Sequence, residues 1–161
     1  MSYKIPGLFA CLILASLWPG PMISGRISNI LGSAYVPTLY GICAAATIGV
    51  VILWVRNRPT LRSSTLIIIA SALSVAVIWM TVCANEMIHL AEYGILGYLF
   101  AAVPAIGIIW GFIISSFVGI LDEIIQWLLP NRFFEVRDVA MNLISAGVGI
   151  IIYSVLNSHL E

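Results

Sequence analysis

Charge is the scarcest ingredient of this sequence. Among 161 residues there are seven Lys and Arg, seven Asp and Glu, and two His, so 9% of the chain is charged and the net charge is zero. Soluble domains carry about 25% charged residues. With 61% hydrophobic residues and a mean hydropathy of +1.10, the chain reads as an integral membrane protein. No basic block or stripe is present, which argues against nucleic acid as a partner.

Other absences narrow the chemistry. The three cysteines, Cys11, Cys43 and Cys83, stand far apart and form no CxxC pair, so they read as small buried hydrophobes. One His and three carboxylates would suit Zn, Mn or Mg. There is no HExxH, however, and His159 falls at the opposite membrane face from His89, so no metal and no cofactor is assigned. No serine lies in an elbow motif. No signal-peptide cleavage site follows the first apolar run; Trp18-Pro19-Gly20-Pro21 stands there instead, and an uncleaved first span is expected.

What the chain does have is long apolar runs. Its length suits one domain, residues 1–161, built as an all-α transmembrane bundle of five or six spans at about 20 residues each. The six runs are 5–18, 37–55, 65–83, 85–103, 105–129 and 138–156, with 22–36 expected at the membrane interface. Small residues through the second run (Gly41, Ala44, Ala45, Ala46, Gly49) suit close helix packing. Arg56, Arg58 and Arg62 form the one basic loop. If it is cytoplasmic, as positive residues tend to be, six spans put both termini inside.

The few polar residues gather at one face. The start of the fourth run, the end of the fifth and the start of the sixth share a side of the membrane. Glu86, His89, Asp122, Glu123, Gln126, Arg132, Arg137, Asp138 and Asn142 therefore meet in one layer, extracytoplasmic if the arginine loop is inside. Charge beside membrane-spanning helices is costly unless paired, wetted or functional. Glu86, His89 and Tyr93 share a helical face at i, i+3, i+7, which Gly97 continues. Asp122, Glu123 and Gln126 fit within roughly 100° of arc. Asp138, Asn142, Ser145 and Gly149 form a stripe on the last run.

Each of these features has a structural reading beside the functional one. Asp138 can cap the last helix. Asn142 and Gln126 can be hydrogen-bond partners between helices. Arg132 can neutralise Asp122, Glu123 or Asp138, and Glu135 with Arg137 reads as a headgroup-level pair. His89 can be a satisfied polar group. If there is acid–base chemistry, Glu123 and His89 are its candidates.

The ordered series His89-x3-Tyr93-x2-Leu96, then Asp122-Glu123-x2-Gln126-x5-Arg132-x5-Asp138-x3-Asn142, resembles the VanZ-like membrane proteins. The resemblance covers about residues 85–152. It departs at Asn85-Glu86, where a basic residue is common, and at Ser145, where Gly is common. It implies a small multi-span protein of the bacterial plasma membrane, in a family named for a member linked to low-level resistance to the glycopeptide teicoplanin. No established reaction comes with it, and whether the chain is an enzyme stays open.

Two main functions compete. In one, the layer binds or modifies a polar ligand with a lipid anchor, such as a cell-envelope lipid or a glycopeptide. Arg132 would hold an anionic group, and Tyr93, Asp122, Gln126, Asp138 and Asn142 would line the site. In the other, the chain is an accessory subunit of a larger membrane complex and the layer only locks helices. A transporter fits less well, because the polar residues lie at one face and no inverted repeat is visible.

Overall fold

The structure, a computed structural model, describes residues 4–16, 20–56, 60–80, 87–130 and 132–157. In chain order these form α1 (Lys4–Ser16), α2 (Gly20–Leu31), a 3-10 turn (Gly32–Ala34), α3 (Tyr35–Arg56), α4 (Leu61–Met80), α5 (Met87–Ala101), α6 (Gly107–Trp127) and α7 (Val136–Leu156). There is no strand among the described residues. The expected all-α membrane bundle is what is found. Four stretches are long and apolar enough to cross a bilayer: Arg26–Arg56, Leu61–Met80, Gly107–Trp127 and Val136–Leu156. The apolar helices α1 and α5 are shorter.

The helix ends follow from local chemistry. Helix α4 starts four residues before the expected 65 because Thr60 and Ser63 cap it reciprocally. The Thr60 hydroxyl accepts from the Ser63 N–H at 3.1 Å, and the Thr60 N–H donates back to Ser63 Oγ at 2.8 Å. This is a capping box with serine in the acidic position. Helix α3 starts at Tyr35 rather than 37. Pro37 then falls in the first turn, where its missing N–H removes no helical bond. Residues 22–36, expected as a mixed interfacial stretch, are largely helical and run through the 3-10 turn into α3. Gly107 has a positive φ of 70°, which lets the chain turn sharply between α5 and α6.

The core lies among α5, α6 and α7, with α4 against α7 and α1 against α5. At 1.5 Å per residue, the fifteen residues of α5 reach about 22 Å, short of a hydrocarbon layer of about 30 Å. That is tolerable because α5 packs against α6, α7 and α1 on one side, leaving only a strip with Ile88 and Ile95 exposed. Gly94 lies against Ser145, Gly97 against Ala146 and Tyr98 against Gly149. The contacts advance together along both chains, so α5 and α7 run parallel with their backbones in near contact. A Cβ at Gly97 would meet the Ala146 carbonyl, and one at Gly149 the Gly94 carbonyl. The expectation that Gly97 admits a close helix holds.

The outer surface is apolar. Ile48, Ile52, Trp79, Ile109, Trp110 and Phe117 are exposed, as befits a surface that meets acyl chains. The cysteine expectation fails in part: Cys11 is exposed and Cys43 only half-buried. Against lipid an apolar thiol needs no burial. Cys83 lies outside the described residues. The small-residue face of α3 is also unfilled. Among the described residues nothing lies within 4 Å of a Cβ built on Gly41 or Gly49, so the close packing expected there is not made among them.

Candidate functional site

The start of α5, the end of α6 and the start of α7 come together at one end of the bundle. Asp122, Glu123, Gln126, Asp138, Asn142 and Tyr93 are all buried. His89 is half-buried and Arg132 exposed. Glu86, expected in the same layer, lies outside the described residues.

Gly119 is the junction. A Cβ there would lie 2.8 Å from the Asn142 Cβ and 3.3 Å from Tyr93 Cε1. Its absence lets α5 and α7 press their polar side chains onto α6. Asn142 donates Nδ2–H to the Gly119 carbonyl at 3.2 Å. Asp122 follows one turn later on the same face of α6. Tyr93 is its neighbour across the interface, and His89, one turn earlier on α5, stacks near Tyr93 with ring centroids 6.2 Å apart. Glu92, to which the sequence assigned no role, also lies near Asp122.

A second set of bonds ties the α6–α7 loop. Glu123 accepts from Gln126 Nε2 at 3.0 Å through one oxygen and from the Glu135 backbone N–H at 3.3 Å through the other. Arg132 donates to Gln126 Oε1. A guanidinium, an amide and a carboxylate thus form a chain that ends on the residue preceding α7. Arg137 pairs with Glu135 at 2.9 Å and with Asp138 at 3.3 Å.

Three sequence readings change here. Asp138 does not cap α7. The helix begins at Val136, Glu135 is the capping residue without a side-chain cap bond, and Asp138 sits in the first turn, where its charge meets the positive dipole end. Arg132 makes no ion pair with a carboxylate among the described residues; it donates to the Gln126 amide, and its charge acts on Asp122 and Glu123 from nearby. Glu123, the expected proton-transfer group, has both oxygens engaged in holding the loop. The open carboxylate oxygen belongs to Asp122 instead. Spacing put both acids on one helix face and could not say which would be occupied, because that depends on where the loop backbone turns.

What remains unpartnered is equally specific. Asn142 Oδ1 and His89 Nδ1 are buried without a hydrogen-bond partner among the described residues, and Tyr93 Oη and the Asp122 carboxylate face one another without closing to a hydrogen bond of normal geometry. Tyr93 and Asn142 are fully buried and Asp122 is 1% exposed. Buried polar atoms are satisfied in the great majority of cases. Ser115 and Ser145 are satisfied by their own helices, donating to Gly111 and Met141 carbonyls at 2.8 and 2.6 Å. No group of three or more His, Cys, Asp or Glu placed to hold a metal ion occurs among the described residues.

Helix α1 closes one side of this region. Ala10 and Ile13 pack in one apolar cluster with Tyr93, Leu96, Phe100 and Val118. The sequence offered no sign of this, because α1 carries no polar marker and its contacts are all long-range.

No curated protein and no solved structure matches the chain. The model of the VanZ/LLP1 family matches residues 38–157, beginning well before the 85–152 motif region and taking in nearly all of α3 and the whole of α4 to α7. Helices α1 and α2 lie outside the match. By that match over most of its length, the chain belongs to the VanZ/LLP1 family.

Proposed function

We propose that the buried polar cluster at the α5–α6–α7 end binds the polar part of a cell-envelope lipid or of a lipid-anchored glycopeptide. One observation carries this reading: three almost fully buried side chains from three helices converge, Asn142 with an unpartnered oxygen and Tyr93 and Asp122 facing one another without a hydrogen bond of normal geometry. Such atoms are costly to leave without partners; they are closed off in this arrangement, so a head group would supply partners as the helix ends part to admit it. The acid–base role belongs to Asp122 with His89, while Glu123, Gln126 and Arg132 hold the loop beside them. In this reading the cluster faces the extracytoplasmic side of a bacterial plasma membrane and both termini are cytoplasmic. Melting of the purified protein with and without envelope lipid extract tests it. The extract should stabilise wild type and should stabilise Asp122→Asn and Tyr93→Phe much less. Equal stabilisation of all three defeats the reading.

The accessory-subunit reading has an observation of its own. The small-residue face of α3 is open at Gly41 and Gly49, and small residues are what membrane helices use to approach closely. Crosslinking from α3 in intact membranes separates the two readings. A reproducible protein adduct favours the subunit role, and lipid adducts alone count against it.

A further inference from the structure

We infer that the α5–α6–α7 end is a proton-dependent latch: Asp122 and Glu123 hold one proton between them at neutral pH, and its release in mildly alkaline medium loosens the α6–α7 loop.

Burial makes the demand. The two acids are consecutive on α6, with Asp122 1% and Glu123 0% exposed. Among the described residues neither makes an ion pair; the pairs at this end are those of Arg137 with Glu135 and Asp138. An ionised carboxylate taken out of water without a cation is costly, and such groups neutralise instead. Two side by side are worse, since like charges this close in a low-dielectric site do not readily both ionise. Asp122 also acts on Glu92, and Asp138 on Glu123, so further acids crowd the pair from α5 and α7.

Cations oppose this, and they are too few. Arg132 and His89 act on Asp122, and Arg132 acts on Glu123. Arg132 is exposed and donates to the Gln126 amide, so its charge is screened by solvent and salt. Even with His89 counted as a cation, the acids Glu92, Asp122, Glu123, Glu135 and Asp138 outnumber Arg132, Arg137 and His89. The helices packed around them, α1, α3 and α4, bring Lys4, Arg56 and Arg62. Lys4 starts α1, and the two arginines flank the α3–α4 turn, at the end of α4 that leads away from α5.

Hydrogen bonds divide the roles of the pair. Glu123 accepts from Gln126 Nε2 at 3.0 Å and from the Glu135 N–H at 3.3 Å, bonds that favour its ionised form. Asp122 Oδ1 has no donor, and its carboxyl group faces the Tyr93 phenol. The proton therefore resides on Asp122, although the two acids titrate as a pair. Its release places a second charge beside Glu123. The bonds of Glu123 tie the loop to the start of α7, so the repulsion works against that tie first. The closed form holds the extra proton, so its stability is full at low pH and is lost as pH rises.

The full chain in a nonionic detergent tests this by two measurements. Infrared spectra detect the carbonyl band of a protonated carboxyl group directly. Wild type at neutral pH should show such a band, Glu92→Gln should keep it and Asp122→Asn should lack it. Asparagine has the shape of the protonated acid, so that variant should fold. Melting is followed between about pH 6 and about pH 9. The wild-type Tm should fall by about 4 °C per pH unit once the proton is released, the effect of one proton on a chain of this size. Asp122→Asn should show little of that fall. If Asp122→Asn does not fold, loss of the band in step with the fall in Tm, in wild type and Glu92→Gln alike, decides for the latch. A wild-type chain without the band overturns the inference, as does a band that only Glu92→Gln removes. A band that belongs to Asp122, with a Tm equally pH-dependent in wild type and Asp122→Asn, overturns the latch and leaves only a buried acid.

Discussion

The Asn142 side chain donates to the backbone carbonyl of Gly119 at 3.2 Å, and the two residues touch because Gly119 has no side chain to hold them apart. Gly119→Ala puts a methyl group 2.8 Å from the Asn142 Cβ, closer than real carbon contacts allow. Asn142 must move, and with it the one bond that joins α6 to α7 at this depth. Overpacking of this kind costs about 1–3 kcal/mol. Loss of the hydrogen bond adds about 0.6 kcal/mol, the average found between membrane helices. Detergent melting of Gly119→Ala against wild type measures the sum, and an unchanged Tm would mean the crossing is looser than described.

Glu123 and Tyr93 should respond in opposite directions when only one polar feature is changed. Glu123→Gln keeps the shape but replaces one acceptor oxygen by an NH2. That group then faces either the Gln126 amide or the Glu135 N–H, and one of the two bonds is lost. A loss of about 1–3 kcal/mol is expected for a buried donor left unmatched. Tyr93→Phe removes a hydroxyl that closes no hydrogen bond of normal geometry among the described residues, in a ring position that stays filled. The unliganded protein should gain about 1 kcal/mol. Equilibrium unfolding in mixed micelles reads both signs. A destabilised Tyr93→Phe would show that the phenol is bonded in solution.

Much of this arrangement was legible in the sequence, and the parts that were not have physical causes. The shared face of His89 and Tyr93, of Asp122 and Gln126, and of Asp138 and Asn142 follows from 100° per residue alone. The meeting of the three faces follows from counting spans. Which group caps α7, and which acid is free, depend on the path of the loop through Arg132 to Glu135, where no periodicity operates. The α1 contact with Tyr93 was invisible because membrane helices are apolar all round, so a buried face carries no signature. Gly41 and Gly49 misled for the complementary reason: small residues permit close packing without requiring it.

Glycines divide into two classes by what surrounds them. At Gly149 a side chain would collide with the Gly94 backbone, and at Gly97 with that of Ala146. Backbone cannot yield as a flexible side chain does, so Gly149→Ala and Gly97→Ala should each cost about 3 kcal/mol or more. The expected result is little monodisperse protein after extraction. Gly41→Ala and Gly49→Ala meet nothing within 4 Å among the described residues and should change stability by no more than about 0.5 kcal/mol. Size-exclusion profiles of the four variants, expressed in parallel, check the division. Loss of native-membrane crosslinks in Gly49→Ala, with normal folding, would point to a partner on α3.

Helix α1 offers the sharpest separation of packing from binding. Ile13 is 4% exposed and shares an apolar cluster with Tyr93. Ile13→Ala opens space beside the phenol without touching any polar group. In a soluble core such a truncation costs about 2–5 kcal/mol, part of it from transfer to water. Within a bilayer the alternative environment is lipid, as apolar as the core, so only the packing part remains. The expected loss is therefore at the low end, about 2 kcal/mol. If the cluster holds a head group, the same substitution lets acyl chains or water reach Tyr93 and lowers affinity as well. Lipid-induced Tm shifts for Ile13→Ala should then fall beyond what the lower starting stability explains. A shift equal to wild type would confine α1 to support of the bundle.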